Sequence, residues 1–156
     1  MASLEELKQI RIEKLERLRA AGMDPYPATV PRDHSLSEIK KDFDSFGERG
    51  ISLVGRVMVL RGQGAILFAV LSDGTDRFQA VFKKDEIDES LFTLFTDTVD
   101  MGDFISVTGT LFVTQRGEQS ILVRSWMMAT KALLPLPEKW AGLQDVEERY
   151  RKRYLD

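Results

Sequence analysis

Two runs rich in β-forming residues flank Asp73-Gly74 within the segment from Ile66 to Phe82, a pattern typical of a β-hairpin. An Asp-Gly pair suits a two-residue type I′ turn, because both central positions of that turn tolerate a positive φ. Counting outward from such a turn places Phe68 directly opposite Gln79, on the same face. The other face is more consistently apolar and is predicted to point into the core; it carries Leu67, Ala69, Leu71, Phe78, Ala80 and Phe82.

Phe68, Gln79 and Arg77 share the predicted outer face of this hairpin. An exposed aromatic ring can stack on a nucleobase, and an amide can both donate and accept hydrogen bonds at the edge of a base. A phenylalanine on a strand is more often ordinary packing, however, and the hairpin alone favours that interpretation. The rest of the chain must decide between the two.

From residue 51 onward the apolar spacing is that of strands. Besides the hairpin, strands are predicted over 51–61, 104–114 and 118–133, with a helix over 85–98. Gly55 within the first strand predicts a bulge or sharp bend. The order β-β-β-α-β-β is the plan of the OB-fold, a five-stranded Greek-key barrel that often binds oligonucleotides on its outer face. The predicted fold class is therefore mainly β, with an N-terminal α-helix.

Two capping boxes predict the helices that precede the strands. Ser3 with Glu6 opens a helix over about residues 3–21, and Ser35 with Glu38 opens a short helix that fades near 43–46. The basic residues of the first helix are interleaved with glutamates, which favours a solvated face over an RNA-binding one. Those basic residues are Lys8, Arg11, Lys14, Arg17 and Arg19.

Four segments make up the predicted organisation of the chain. An N-terminal helix and Pro-rich turn occupy 1–27, and a connector with the short helix occupies 28–50. The barrel occupies 51–134, and a linker that looks helical from about Asp145 occupies 135–156. Trp126 and Trp140 are predicted to be packing residues near the fifth strand and the linker.

Composition narrows the possible chemistry. The chain has 156 residues without a cysteine, which excludes disulfides and thiolate metal sites, and we interpret its single histidine, His34, as a solvated loop residue. A net charge of −3 argues against a generic, charge-driven nucleic-acid binder but leaves room for a small RNA site based on stacking. With no apolar stretch of transmembrane length and no signal-peptide pattern, we expect no membrane partner and a cytoplasmic location.

Three stretches of the chain share features with one enzyme family. They are the helix ending in GMDPYP, the strand order with Phe68, Gln79 and an Arg-Gly-Glu turn at Glu118, and the C-terminal TKALLPLPEKWAGLQDVEERYRKRYLD. Together they resemble the N-terminal, anticodon-binding part of a class II lysyl-tRNA synthetase of the bacterial type. The resemblance covers essentially the whole chain, and its C-terminal stretch is the most specific, since aspartyl and asparaginyl synthetases use a similar Phe and Gln pair.

The resemblance implies a site of four residues that binds the anticodon of lysine tRNA. Phe68 matches the aromatic ring that stacks on an anticodon base, and Gln79 matches the amide that reads a uridine edge. Glu118 matches a carboxylate that contacts the anticodon, and Arg61 matches a basic residue that helps to hold it. The chemistry is consistent, because an ionised Glu118 can only accept a hydrogen bond and so disfavours the bare N3 of cytosine.

For the whole enzyme, the resemblance implies ligation of lysine to its tRNA with ATP and Mg²⁺, by a homodimer. A class II catalytic core is expected after Asp156, and the dimer contacts of the family lie largely in that core. For the present chain the resemblance implies no catalytic residue, no cofactor and no aminoacylation, and it leaves a monomeric state open.

Three alternatives stay open at this point. A generic single-strand-binding OB module predicts several exposed aromatic residues, a basic groove and weak base preference. A protein-interaction OB domain predicts that Phe68 contacts a partner chain and that RNA does not bind. An aspartyl or asparaginyl anticodon module predicts a different base preference.

Overall fold

A computed structural model describes residues 3–136 of the chain. Three helices precede the strands and a fourth lies between the third and fourth strands. In chain order the elements are α1 Leu4–Ala20, α2 Leu36–Lys41, α3 Phe43–Phe46, β1 Ile51–Gln63, β2 Ile66–Ser72, β3 Arg77–Lys83, α4 Glu89–Thr98, β4 Phe104–Val113 and β5 Gln119–Thr130.

The five strands close into a barrel in the order β1-β2-β3-β5-β4, with β1 and β4 also paired. All neighbouring strands are antiparallel except β3 and β5, which run parallel. The predicted mainly β class and OB-fold are confirmed. The strand bounds differ slightly, since β1 is longer than predicted and β5 ends at Thr130. Helix α4 begins at Glu89, later than predicted, because the Asp88 side chain caps it there.

The alternation along the hairpin separates the core from the outer face as predicted. Ala69, Leu71, Phe78, Ala80 and Phe82 are all at most 2% exposed and belong to one core cluster, and Leu67 packs against it. Consecutive strand residues point to opposite faces, so Phe68, Val70, Gln79 and Val81 lie on the outside of the barrel.

Helix α4 covers one side of this core with aromatic contacts. The Phe95 ring stacks on Phe82 with the ring centroids 3.9 Å apart, and it meets Trp126 edge-on at 5.4 Å. Trp126 is buried, and its indole N–H donates to the Leu91 carbonyl at 2.8 Å. The prediction that Trp126 is a packing residue is therefore confirmed. Trp140 and the predicted helix from Asp145 lie outside the described residues.

The predicted turn of the hairpin is wrong. Ser72 pairs with Arg77 rather than Thr75, so the loop has four residues, and Phe68 pairs with Val81. The cause is Asp73, whose φ is not positive and whose side chain accepts hydrogen bonds from Thr75 N and Oγ1, at 2.9 and 2.6 Å. This Asx-type turn adds two residues to the loop, and an even shift keeps every side chain on its predicted face.

One smaller expectation also needs correction. The bulge predicted at Gly55 lies between Val57 and Val59; a Cβ on Gly55 would come within 2.8 Å of the Leu71 Cβ, so close approach of the backbone explains this glycine. His34 lies in the loop before α2 with its side chain 40% exposed, and its ring also packs edge-on against Phe46 with the centroids 5.0 Å apart.

Helix α1 is anchored to the barrel by charged groups that we call the Lys131 cluster, formed by Lys131, Asp100, Asp103, Lys14 and Arg11. The Lys131 Nζ, fully buried, lies 2.8 Å from an Asp100 oxygen and 2.7 Å from an Asp103 oxygen. The Lys14 Nζ reaches Asp100 at 2.7 Å, and Arg11 donates to the Ala132 carbonyl at 3.2 Å. The prediction of a solvated basic face is therefore wrong for Arg11 and Lys14, which bind the barrel.

No helix within residues 3–136 is long and apolar enough to cross a membrane.

Candidate nucleic-acid interface

The outer face of β1, β2 and β3 brings together three of the four predicted site residues. Arg61 on β1 pairs across the sheet with Phe68 on β2, and its guanidinium carbon lies 5.1 Å from the centroid of the Phe68 ring. The Arg61 Nη2 also donates to the Gln79 Oε1 at 2.7 Å. Phe68 and Gln79 are diagonal neighbours rather than directly opposite, because the longer turn shifts the register by two residues.

A buried serine holds the other end of the Gln79 amide. Gln79 is 5% exposed, and its Nε2 donates to the Ser120 Oγ at 3.0 Å. Ser120 itself is 0% exposed and faces Gln79 across the parallel pair of β3 and β5. Its hydroxyl donates in turn to the Glu118 carbonyl at 3.3 Å. The amide is therefore tied at both ends in the free protein.

The fourth predicted residue, Glu118, lies where the turn between β4 and β5 ends. Its backbone N–H donates to the Thr114 Oγ1 at 3.1 Å, and its carbonyl accepts from the Thr114 N–H at 2.9 Å. Gly117 before it has a φ of 85°, a conformation that suits glycine. The Glu118 side chain is exposed, and within residues 3–136 it makes no hydrogen bond or ion pair. Its carboxylate is therefore available to a ligand, although it touches none of the other three site residues.

Two residues of this face were missed by the sequence reasoning, Ser120 and Phe112. Phe112 on β4 pairs with Ser120, which places its half-buried ring on the same outer face, and the Lys83 Nζ lies 5.6 Å from its centroid. Strand alternation marks both as outward positions beside the core residues Leu111 and Ile121. The pairing of β3 with β5, which sets Ser120 beside Gln79, has no local sequence signal.

The site combines one aromatic stacking surface with polar groups that differ in their exposure to solvent. Phe68 is half-buried, so part of its ring is available to a flat ligand. The Gln79 amide keeps one N–H and one lone pair beyond its two internal hydrogen bonds. Arg61 and Glu118 are exposed, one supplying donors and the other an anionic acceptor. Such a set can hold an aromatic heterocycle and test the pattern of donors and acceptors along its edge.

The described part of the chain contains no group of three or more His, Cys, Asp or Glu side chains that could hold a metal ion.

The fold defines a five-stranded OB-type barrel, and comparison with known families agrees. A family model described as an OB-fold nucleic acid binding domain matches residues 51–129, which is half of the chain and all but the end of the barrel. The chain belongs to this family.

Individual proteins similar to this chain point to one kind of enzyme within the family. The chain is 44% identical over 156 residues to a lysine–tRNA ligase of Roseiflexus sp. (strain RS-1), covering 98% of this chain and 32% of that protein. It is 40% identical over 153 residues to a lysine–tRNA ligase of Carboxydothermus hydrogenoformans, covering 98% of this chain and 31% of that protein. It is 42% identical over 156 residues to a lysine–tRNA ligase of Chloroflexus aurantiacus, with coverages of 98% and 32%. The resemblance inferred from sequence is confirmed, and the chain spans about a third of the length of the curated relatives it matches.

Proposed function

We propose that this chain recognises the anticodon of lysine tRNA, as the anticodon-binding part of a lysyl-tRNA synthetase. The observation that carries the proposal is the contact of Arg61 with both Phe68 and Gln79 on the outer face of the barrel. A ring beside an amide of fixed position is what base-specific recognition of single-stranded RNA requires. The names of the relatives support lysine as the amino acid concerned.

Each site residue has a distinct task in this proposal. Phe68 stacks on an anticodon base and contributes about 1–3 kcal/mol without distinguishing between bases. Gln79 and Glu118 test the edge of a uridine, and a wrong base leaves buried polar groups unpaired at a cost of about 1–3 kcal/mol. Arg61 supplies donors to a base carbonyl or a phosphate. Affinity therefore rests on Phe68 and Arg61, and discrimination on Gln79 and Glu118.

The whole enzyme in this proposal joins lysine to its tRNA in the cytoplasm, using ATP and Mg²⁺, as a homodimer. The proposal assigns no step of that reaction to residues 3–136. The barrel at 51–134 is the recognition unit, with segments 1–27 and 28–50 attached to it and 135–156 leading toward a catalytic core. A monomeric state stays open for the present chain.

The test is a titration of the chain with a stem-loop carrying a UUU anticodon and with one carrying UCU, at the same moderate salt concentration. We expect tighter binding of UUU, and we expect Gln79→Ala and Glu118→Ala to reduce that preference. Gln9→Ala and Glu13→Ala are controls matched by residue type, because both are exposed on α1 and should leave the preference unchanged.

Other outcomes would favour the alternatives. Equal binding of both stem-loops would indicate a generic single-strand binder, an interpretation favoured by the second aromatic ring at Phe112 under Lys83. If aspartyl and asparaginyl anticodon stem-loops are added to the titration, tighter binding of either one than of UUU would assign the chain to that enzyme. Binding of neither RNA would contradict the proposal and favour a protein-interaction domain.

A further inference from the structure

We propose that Ser120 decides between uridine and cytidine, because it fixes the orientation of the Gln79 amide. The inference rests on the proposed function and adds a residue to it. Ser120 is 0% exposed and cannot touch the RNA, so its role is that of a positioning residue acting through Gln79.

The orientation of the amide follows from the chemistry of its two neighbours. A guanidinium group has only donors, so the Gln79 atom facing the Arg61 Nη2 at 2.7 Å must be the acceptor Oε1. The Nε2 therefore faces Ser120, whose Oγ accepts at 3.0 Å. The Ser120 hydroxyl then has its own proton for the Glu118 carbonyl at 3.3 Å. Each of these three hydrogen bonds has one donor and one acceptor, and a reversed amide would set its N–H against the guanidinium.

The two orientations of the amide select different pyrimidines. Uracil presents a donor at N3 and an acceptor at position 4, whereas cytosine presents an acceptor at N3 and a donor at position 4. For a base held in one place on the Phe68 ring, an amide with its oxygen opposite N3 accepts uracil, and the reversed amide accepts cytosine. A glutamine that turns freely therefore accepts both bases, and a locked glutamine accepts one.

Of the two neighbours, Ser120 is the one that can hold the amide while RNA is bound. Arg61 is exposed, so water and RNA phosphates compete with Gln79 for its donors. The hydrogen bond between Gln79 and Ser120 is buried on both sides and is shielded from that competition. When Arg61 turns toward a phosphate, Ser120 still favours this orientation, because its proton is donated to the Glu118 carbonyl and its Oγ presents an acceptor to the amide. A reversed amide could accept from Ser120 only if the hydrogen bond to the Glu118 carbonyl were broken.

The experiment compares the binding ratio of the UUU and UCU stem-loops for the native chain, Ser120→Ala, Ser120→Thr and Ser125→Ala. For Ser120→Ala we expect UUU binding to change little and the ratio to fall by about tenfold, as binding of the cytidine loop improves. Ser120→Thr keeps the hydroxyl and should keep the ratio. Ser125→Ala, an exposed serine on the same strand, is the matched control.

The outcomes separate this inference from the proposed function. A native chain without a preference for UUU contradicts the proposed function itself. A native preference that persists in Ser120→Ala, or an equal loss of both affinities, overturns the inference alone. If Ser120→Ala does not fold, the native chain still tests it: the Gln79 side-chain amide proton that is donated to Ser120 should exchange slowly with D₂O in NMR spectra, and rapid exchange of that proton would overturn the inference.

Discussion

The Lys131 cluster and the network around Gln79 are both built from buried polar groups, yet they differ in how completely those groups are satisfied. In the cluster, Asp103 accepts from Lys131, from the Asp100 N–H and from the Ala132 N–H, at 2.7, 2.8 and 2.8 Å. In the second network, the Gln79 amide uses only part of its hydrogen-bonding capacity. The network around Gln79 ends at the side chain of Arg61, which is exposed to solvent.

The difference separates a structural network from one suited to recognition. A buried charge without a partner is costly, so the Lys131 cluster is closed on itself and ties α1 to the barrel. The Gln79 network leaves donors and acceptors beside an accessible aromatic ring, where a ligand can complete them. The two networks should therefore respond to different experiments.

The largest expected effect is on the cluster. Lys131→Met should destabilise the fold by about 3–5 kcal/mol, because it leaves two carboxylates without their shared buried cation. Chemical denaturation monitored by circular dichroism measures the change. Lys84→Met is the matched control, since Lys84 is exposed and its pair with Glu89 spans 3.8 Å, and its effect should stay below about 1 kcal/mol. Equal effects of the two variants would show that the cluster is not what anchors the fold.

The next effect in size concerns the recognition network. Phe68→Ala should weaken binding of the UUU stem-loop by about 1–3 kcal/mol through lost stacking, with the preference over UCU largely kept. Fluorescence titration gives both affinities. Phe104→Ala is the control, because Phe104 also lies under an arginine, with the Arg56 guanidinium carbon 4.7 Å from its ring centroid, but it is the first residue of β4 and not a residue of β2. A loss of binding in Phe104→Ala as large as in Phe68→Ala would place the RNA elsewhere on the barrel.

The smallest expected effect is the pH dependence of the cluster. Burial works to raise the pKa of Asp100, but hydrogen bonds from Lys131 and Lys14 outweigh it and hold that pKa below the ordinary value. The contribution of Asp100 to stability is therefore present above about pH 3.9, its unfolded value, and is lost as the pH falls through the folded value. At Asp103, burial outweighs the hydrogen bond from Lys131 and raises the pKa. Protonation of Asp103 on acidification therefore favours the folded state, which opposes the loss of stability caused by Asp100.

An Asp100→Asn variant isolates the first contribution. Thermal unfolding between pH 3 and pH 7 should show a steeper loss of stability on acidification in the native chain than in the variant. Parallel curves would mean that Asp100 adds no pH-dependent stability.

The hairpin shows which features of the candidate site could be predicted from the sequence. The alternation of apolar residues placed Phe68, Gln79 and Arg77 on one face, and that assignment survived an incorrect turn because the error was an even number of residues. The turn itself was wrong because the Asp73 side chain forms an Asx-type turn with Thr75, and it also accepts from the Leu36 N–H at the start of α2. The second contact joins residues far apart in sequence, so turn propensity alone could not reveal it.

The sequence by itself determined the faces of the strands, the two capping boxes that start α1 and α2, and the order of elements that closes the barrel, because alternation and capping act between near neighbours. Only the tertiary structure decided which side chains hold Gln79. Its two partners lie 18 and 41 residues away: Arg61 on β1 reaches Gln79 across the intervening strand β2, and Ser120 faces it across the parallel pairing of β3 with β5. The register between strands sets such contacts, and no local pattern of residues encodes it.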